Sequence, residues 1–268
     1  VSPASPHSPL SREAVCGPRS ASAGTSLLRR VLEGAVDLVL PRRCVECGRP
    51  GAWLCAACRE TLTPLPAARC FRCGRPVPVP VLHCLECEGR RLAFVAAAAA
   101  FTYEGPARGL VTACKFRGLR SMAAEMAELA APCFRDTIEA AAAHGHELDV
   151  ATWAPTTPRR RVERGFDHAE LFARELGAAA GLPVVPLVER ADGAGHQSRL
   201  GRSARAANVA GAFSLRPEAV RDTLKRVIII DDVYTTGETL HQCARAFGGV
   251  AYEVHAFTFA RTVRGQRS

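Results

Sequence analysis

The chain has 268 residues, of which 48% are hydrophobic and 23% charged, with a formal charge of +9; this is enough for one substantial core and a small appendage. No apolar run approaches the roughly 18 residues that span a bilayer, the longest being the alanine-dominated Leu92 to Phe101, so a membrane-spanning helix is not expected. The positive balance suits phosphate-bearing partners, whether nucleotide, sugar phosphate or nucleic acid, and an arginine-rich surface in an alanine-rich chain would give the same count.

Residues 1–26 are rich in Ser, Pro and Ala and read as a disordered tail. Leu27, Leu28, Val31, Leu32, Ala35, Val36 and Val39 then recur at helical spacing. The pattern predicts an amphipathic helix over 26–40, ending before Pro41, with its apolar face docked on the neighbouring domain.

Eight of the twelve cysteines form four Cys-x-x-Cys pairs, Cys44/Cys47, Cys55/Cys58, Cys70/Cys73 and Cys84/Cys87. That spacing belongs to metal sites in a reducing cytoplasm rather than to secreted disulfides. Few large apolar side chains lie between residues 44 and 87, so metal must hold the segment together. Eight thiolates make two tetrahedral zinc sites, structural because no ligand position is left for water. Two zinc ions on eight thiolates would bring the charge from +9 to +5, so the basic balance survives. Sequential pairing closes the shortest loops; an interleaved arrangement fits the spacing too, and iron–sulfur is the competing metal. His83 is a spare ligand at most, and Cys16, Cys114, Cys133 and Cys243 read as small buried or incidental thiols.

From residue 92 apolar strands alternate with alanine-rich helices. Strands are predicted near 92–102, 148–154, 183–188, 226–231 and 250–260, and helices near 105–116, 120–143, 166–180 and 237–247. This is an α/β pattern with a mostly parallel sheet flanked by helices. The expected organisation is a tail over 1–26, a helix and double ribbon over 27–90, an α/β domain over 91–262 and a short tail over 263–268.

The β-branched run Val227-Ile228-Ile229-Ile230 reads as a central strand and ends in Asp231-Asp232, at the carboxyl edge where open α/β sheets bind ligands. Val233-Tyr234-Thr235-Thr236-Gly237-Glu238-Thr239 follows, presenting hydroxyls and backbone N–H groups at a helix entrance that suits a phosphate monoester. The carboxylates can accept hydrogen bonds from vicinal ribose hydroxyls or help to hold hydrated Mg²⁺.

Two basic stretches add cations. Ala154 to Phe166, with Arg159, Arg160, Arg161 and Arg164, leaves a strand and enters a helix; it is the candidate diphosphate loop, since a planar guanidinium binds phosphate oxygens bidentately. His196, Gln197, Arg199, Arg202, Arg205, Asn208 and Phe213 form the second stretch, a lid or a charged surface helix. Lys115 lies where it could close over the site.

The Asp231 to Thr239 string resembles the phosphoribosyl pyrophosphate (PRPP) motif of type I phosphoribosyltransferases. Tyr103 to Pro106 with Lys115-Phe116, then Pro155 to Phe166, then Gln197, Leu200, Arg205, Asn208 and Phe213, then Asp231 to Gly237 resemble, in this order, the ComF family of competence-associated proteins. The resemblance covers residues 27–262. It implies a zinc ribbon joined to a type I phosphoribosyltransferase-like fold, with Asp231 and Asp232 at the ribose hydroxyls and as the nearest candidate catalytic residues. Thr235, Thr236, Gly237 and Thr239 would line the phosphate, with Arg160, Arg164 and Lys115 at the diphosphate. It further implies Mg²⁺ with PRPP, a link to single-stranded DNA or DNA uptake, and a competence-machinery partner. The chain departs from the family at Asp167-His168, where Asn-Gln is usual. Three classes of function follow: a phosphoribosyl transfer enzyme of unassigned acceptor, a nucleic-acid-handling protein without turnover, and a ligand-sensing regulator. An aromatic content of 6% argues against a stacking platform for single strands.

Overall fold

The computed structural model describes residues 42–116, 121–191, 211–217, 226–248 and 253–263. The predicted 26–40 helix, the tails at 1–26 and 264–268 and the basic stretch 196–208 lie outside these residues.

The described residues begin with a ribbon segment holding a short helix, α1 (Ala56–Arg59), and continue as β1 (Ala96–Thr102), α2 (Gly105–Phe116), α3 (Ser121–Ala143) and β2 (Val150–Trp153). Then come α4 (Pro158–Arg164), α5 (His168–Ala180), β3 (Val188–Arg190), β4 (Phe213–Leu215), β5 (Arg226–Tyr234), α6 (Glu238–Arg245) and β6 (Glu253–Arg261). Four strands form a parallel sheet in the order β1-β6-β5-β2, while β3 and β4 pair antiparallel in a separate two-stranded sheet.

A parallel sheet must be covered on both faces, and the alternation along β5 sorts the two cores. Ile228 and Ile230 face a cluster with Leu110 of α2, Met122, Met126 and Phe134 of α3, and Phe172 and Leu176 of α5. Val227 and Ile229 face the opposite way, toward Leu240 and Cys243 of α6, Val188 and Phe213 of the small sheet, and Cys70, Cys73, Cys84 and Cys87. The ribbon segment therefore straddles the sheet. Its first half joins the helical face through Cys44 and Leu54, through Trp53 Nε1 donating to Ser121 Oγ (2.9 Å), and through Arg59 paired with Glu125 and Glu128. Its second half is part of the layer that covers the other face.

Three strand expectations are corrected. The 183–188 strand reduces to one bridge between Val184 and Ala151, because Pro183 and Pro186 cannot donate to a ladder; the strand proper starts at Val188 and belongs to the small sheet. Residues 92–95 precede β1 instead of belonging to it, with the carbonyls of Leu92 and Val95 accepting hydrogen bonds from Arg72 of the ribbon (2.6 and 3.1 Å). The central strand does not end at Asp231-Asp232; it runs on to Tyr234. No helix among the described residues is long and apolar enough to cross a membrane.

Candidate functional site

Strand β2 stops opposite Ile230, whereas β5 stays paired with β6 through Tyr234 and Arg261. Asp231 and Asp232 thus stand on a stretch of β5 that has lost one neighbour, and the missing strand leaves room for a ligand. A cleft of about 620 Å³ opens there, lined by Lys115, Thr156, Arg160, Arg164, His168, Arg190, Asp231, Asp232, Thr235 and Thr239 among others.

Of the sequence-predicted residues, both acids, Thr235, Thr239, Arg160, Arg164 and Lys115 line this one cleft. Thr236 and Gly237 shape the loop beside it. Gly237 caps α6 at φ 75°, and a Cβ there would lie 2.3 Å from Tyr234 Oη. Thr236 Oγ1 accepts the Glu238 amide (3.4 Å), and the Thr236 carbonyl accepts a hydrogen bond from Arg90 of the ribbon (2.9 Å).

The two acids differ in environment. Asp232 Oδ2 lies 2.7 Å from Lys115 Nζ and 2.8 Å from His168 Nε2. Burial works against its charge, yet the His168 hydrogen bond and the Lys115 ammonium outweigh burial and hold it below the ordinary carboxylate range. Asp231 is pushed up by burial and then by the neighbouring Asp232 charge, while its Oδ1 accepts the Asp232 amide (2.8 Å). Lys115 loses by burial and gains more from Asp232, so it is held above the ordinary ammonium range.

The arginine segment contains a helix of its own. Thr157 caps α4 by accepting the Arg160 amide, Pro158 opens it, and Gly165 at φ 73° closes it. No residue of α4 is buried, so Arg160 and Arg164 line the cleft with little packing beneath. Arg164 Nη1 lies 3.3 Å from His168 Nδ1, so the imidazole sits between that guanidinium and the Asp232 carboxylate.

The departure at Asp167-His168 resolves into two jobs. Asp167, 3% exposed, caps α5 with Oδ1 on the Ala169 and Glu170 amides and uses Oδ2 to accept the Thr156 amide (2.8 Å). His168 lines the cleft beside Asp232. Its recurrence four residues after Arg164 was the available signal that the two would meet across a turn. Arg190 had no such signal: it reaches the cleft from β3 and stacks on Phe213 of β4 at 5.0 Å, and the β3–β4 pairing depends on a long intervening segment.

The eight cysteines gather sequentially, Cys44, Cys47, Cys55 and Cys58 in one cluster and Cys70, Cys73, Cys84 and Cys87 in the other. The Sγ separations of Cys47 to Cys55 (3.7 Å), Cys73 to Cys84 (3.6 Å) and Cys70 to Cys87 (3.9 Å) match the edge of about 3.8 Å of a tetrahedron with Zn–S near 2.3 Å. Both clusters fit structural zinc. The knuckles repeat the same turn: the amides of Gly48 and Gly74 donate to the carbonyls of Cys44 and Cys70 (2.9 and 2.8 Å), both glycines at positive φ. His83 belongs to neither cluster.

Fold and metal centres together define a double-zinc-ribbon protein built onto a mostly parallel α/β sheet. A family model described as "Double zinc ribbon domain" matches residues 35–88. The chain is 29% identical over 228 residues to "Competence protein ComFC" of Bacillus subtilis, covering 80% of this chain and 86% of that protein. It is 25% identical over 213 residues to "Competence protein F" of Haemophilus influenzae, covering 76% and 89%. To "DNA utilization protein YhgH" of Salmonella typhimurium it is 28% identical over 214 residues, covering 78% and 91%. Over about four fifths of its length the chain is thus similar to competence and DNA-utilization proteins, and its front matches the double zinc ribbon.

Proposed function

We propose that the cleft binds PRPP and that the chain is a type I phosphoribosyltransferase-family protein serving DNA uptake or single-stranded DNA handling. One observation carries the reading: the acids on the unpaired flank of β5 and the threonines at the entrance of α6 line the same cleft, with Lys115, Arg160 and Arg164 around them. The loop Thr235 to Thr239 takes the 5-phosphate, its N–H groups and hydroxyls at the positive end of α6. Asp231 accepts from a ribose hydroxyl. Asp232 Oδ2 already has Lys115 Nζ and His168 Nε2 within 2.8 Å, so it works chiefly by fixing those two groups. Arg160 and Arg164 face the diphosphate, whose departure builds negative charge. Magnesium suits this reading as an ion brought in on diphosphate oxygens and water, not as one held by Asp232. Transfer to a nitrogen nucleophile through an oxocarbenium-like ribose is the reaction this arrangement serves.

The names of the relatives, competence and DNA utilization, favour a second reading, a nucleic-acid-handling or ligand-sensing protein that uses the same cleft without turnover. Both readings are tested by melting the protein with and without PRPP and Mg²⁺. Binding raises the melting temperature, and the Asp231→Asn, Asp232→Asn double variant loses the rise. An undiminished rise in that variant rejects the assignment of the cleft. Diphosphate release with an added base, amine or oligonucleotide separates turnover from sensing, and a single-strand affinity that falls steeply with salt marks phosphate contact.

A further inference from the structure

Arg261 is the last residue of β6 and lies almost fully inside the protein, 1% exposed. A buried guanidinium is costly unless its charge and its N–H groups are matched. Here the match for all but Nε comes from the ribbon: Nη1 donates to the Cys73 carbonyl (2.5 Å), and Nη2 donates to Cys73 Sγ (3.8 Å) and to Glu86 Oε2 (3.3 Å), while Nε has no hydrogen-bond partner among the described residues. Glu86 is held in turn by Arg75 (3.2 Å). On its other side the guanidinium lies 4.1 Å from the centre of the Tyr234 ring, a cation–π contact in a desolvated place.

Tyr234 ends β5 and supports the turn that follows. Its hydroxyl and ring occupy the space a Cβ at Gly237 would need, so the ring is the floor on which the loop from Thr235 to Gly237 folds. Four more bonds secure the loop and the helix that follows it from outside. Arg90, three residues beyond Cys87, donates to the Thr236 carbonyl. Thr262, next to Arg261, donates its amide to the Tyr234 carbonyl (3.0 Å) and its hydroxyl to the Thr235 carbonyl (3.2 Å). The Ala93 amide donates to His241 Nδ1 in the first turns of α6 (3.0 Å). The first cluster makes a different set of contacts, to Ser121, Glu125 and Glu128 of α3 on the other face of the sheet.

We propose that the second metal cluster is part of the anion site: through Arg261 and Arg90 it holds the Thr235 to Gly237 loop in its binding shape, and loss of that ion releases the loop. Arg261 is then a positioning residue and the first cluster is not coupled to the loop. This rests on the reading of the loop as a sugar-phosphate site only for its ligand; the coupling itself is a statement about the loop's order. A thiol-reactive oxidant or chelator acting on Cys70, Cys73, Cys84 or Cys87 would switch ligand binding off without touching the cleft.

The test uses the full zinc-loaded chain, with ribose 5-phosphate as probe and amide hydrogen exchange of residues 235–239 as a readout that needs no ligand. Arg261→Gln, with two zinc ions retained, is expected to weaken ribose 5-phosphate by about tenfold, as loss of charge-assisted hydrogen bonds would, and to speed exchange in the loop. Arg261→Lys, which keeps the charge but not the fork, recovers part of both, and Arg90→Gln has the same direction with smaller size. Cys84→Ser matches Arg261→Gln, whereas Cys47→Ser, which opens the first cluster, leaves exchange in the loop unchanged. Unchanged loop exchange in Arg261→Gln, or equal acceleration in Cys47→Ser and Cys84→Ser, overturns the proposal. If the parent protein binds no ribose 5-phosphate, the sugar-phosphate reading falls and the exchange pattern alone decides the coupling. If Cys84→Ser does not fold, the two arginine variants decide it.

Discussion

Lys115 Nζ sits 2.7 Å from Asp232 Oδ2, beside two adjacent acids of opposite character. Asp232 has an ammonium and an imidazole nitrogen within 2.8 Å of one oxygen, while Asp231 is pushed above the ordinary carboxylate range by its own burial and then by the neighbouring Asp232 charge.

Asp231 therefore weakens the ligand-free fold as pH rises. An acid whose folded pKa is raised binds more protons folded than unfolded, so its contribution is present at low pH and lost as pH climbs from the ordinary carboxylate range through the raised value. Asp231→Asn keeps an Oδ1 acceptor for the Asp232 amide and removes the charge. It is expected to stabilise the ligand-free protein at pH 8 by on the order of 1–3 kcal/mol, with the gain fading toward pH 4. Urea unfolding at the two pH values checks this, and a variant no more stable than the parent at pH 8 contradicts it.

Asp232→Asn should move the other way. A depressed folded pKa contributes stability above the unfolded value that is lost as pH falls through the folded one, so its removal is felt at neutral pH. Breaking a buried pair costs about 3–5 kcal/mol; because the Lys115 side chain is 26% exposed, a loss of about 2–3 kcal/mol is expected. Restoring stability with the double change Asp232→Asn, Lys115→Met would identify the stranded ammonium as the cause, and failure of that rescue would move the cost elsewhere.

Gly237 answers to two constraints at once. At φ 75° a side chain is strained, and a Cβ would meet the Tyr234 hydroxyl at 2.3 Å. Gly237→Ala is expected to cost roughly 1–3 kcal/mol and to abolish a PRPP-induced rise in melting temperature. Gly145→Ala, also at positive φ but with open space around it, is the control: it carries the backbone cost alone and keeps the rise. Equal behaviour of the two variants would deny the loop its dependence on the Tyr234 floor.

Much of this was legible in the residues because it is local. Four cysteine pairs, a β-branched run with acids behind it, and Thr-Thr-Gly before a helix are each short-range signals. What escaped depends on tertiary pairing. That β5 outruns β2 by four residues is a property of two strands far apart in the chain, and nothing in Val233-Tyr234 announces that pairing with β6 continues. Arg190 becomes a cleft residue only because Val188 to Arg190 turns away from the main sheet to meet Phe213 to Leu215. The straddling ribbon was hidden for the same reason. Cys73 reads as a zinc ligand in any context, but its role as the acceptor for a buried arginine 188 residues away cannot be read from a Cys-x-x-Cys.

The two metal clusters differ in access, and that difference is measurable. Cys70, Cys73, Cys84 and Cys87 are all buried, with α6, the small sheet and Arg261 around them, whereas Cys47 of the first cluster is exposed. Zinc leaves a tetrathiolate by protonation or attack on a sulfur that solvent can reach, so an exposed ligand sets the rate. Purified protein is expected to hold two zinc ions per chain and to release them to a chromophoric chelator in two phases, the first cluster about tenfold or more ahead of the second. Cys47→Ser should remove the fast phase and leave the slow one, and the slow phase should coincide with faster amide exchange in residues 235–239, because the second half of the ribbon holds that loop through Arg261 and Arg90. A single phase, or a fast phase that survives Cys47→Ser, would show that burial does not order the two releases.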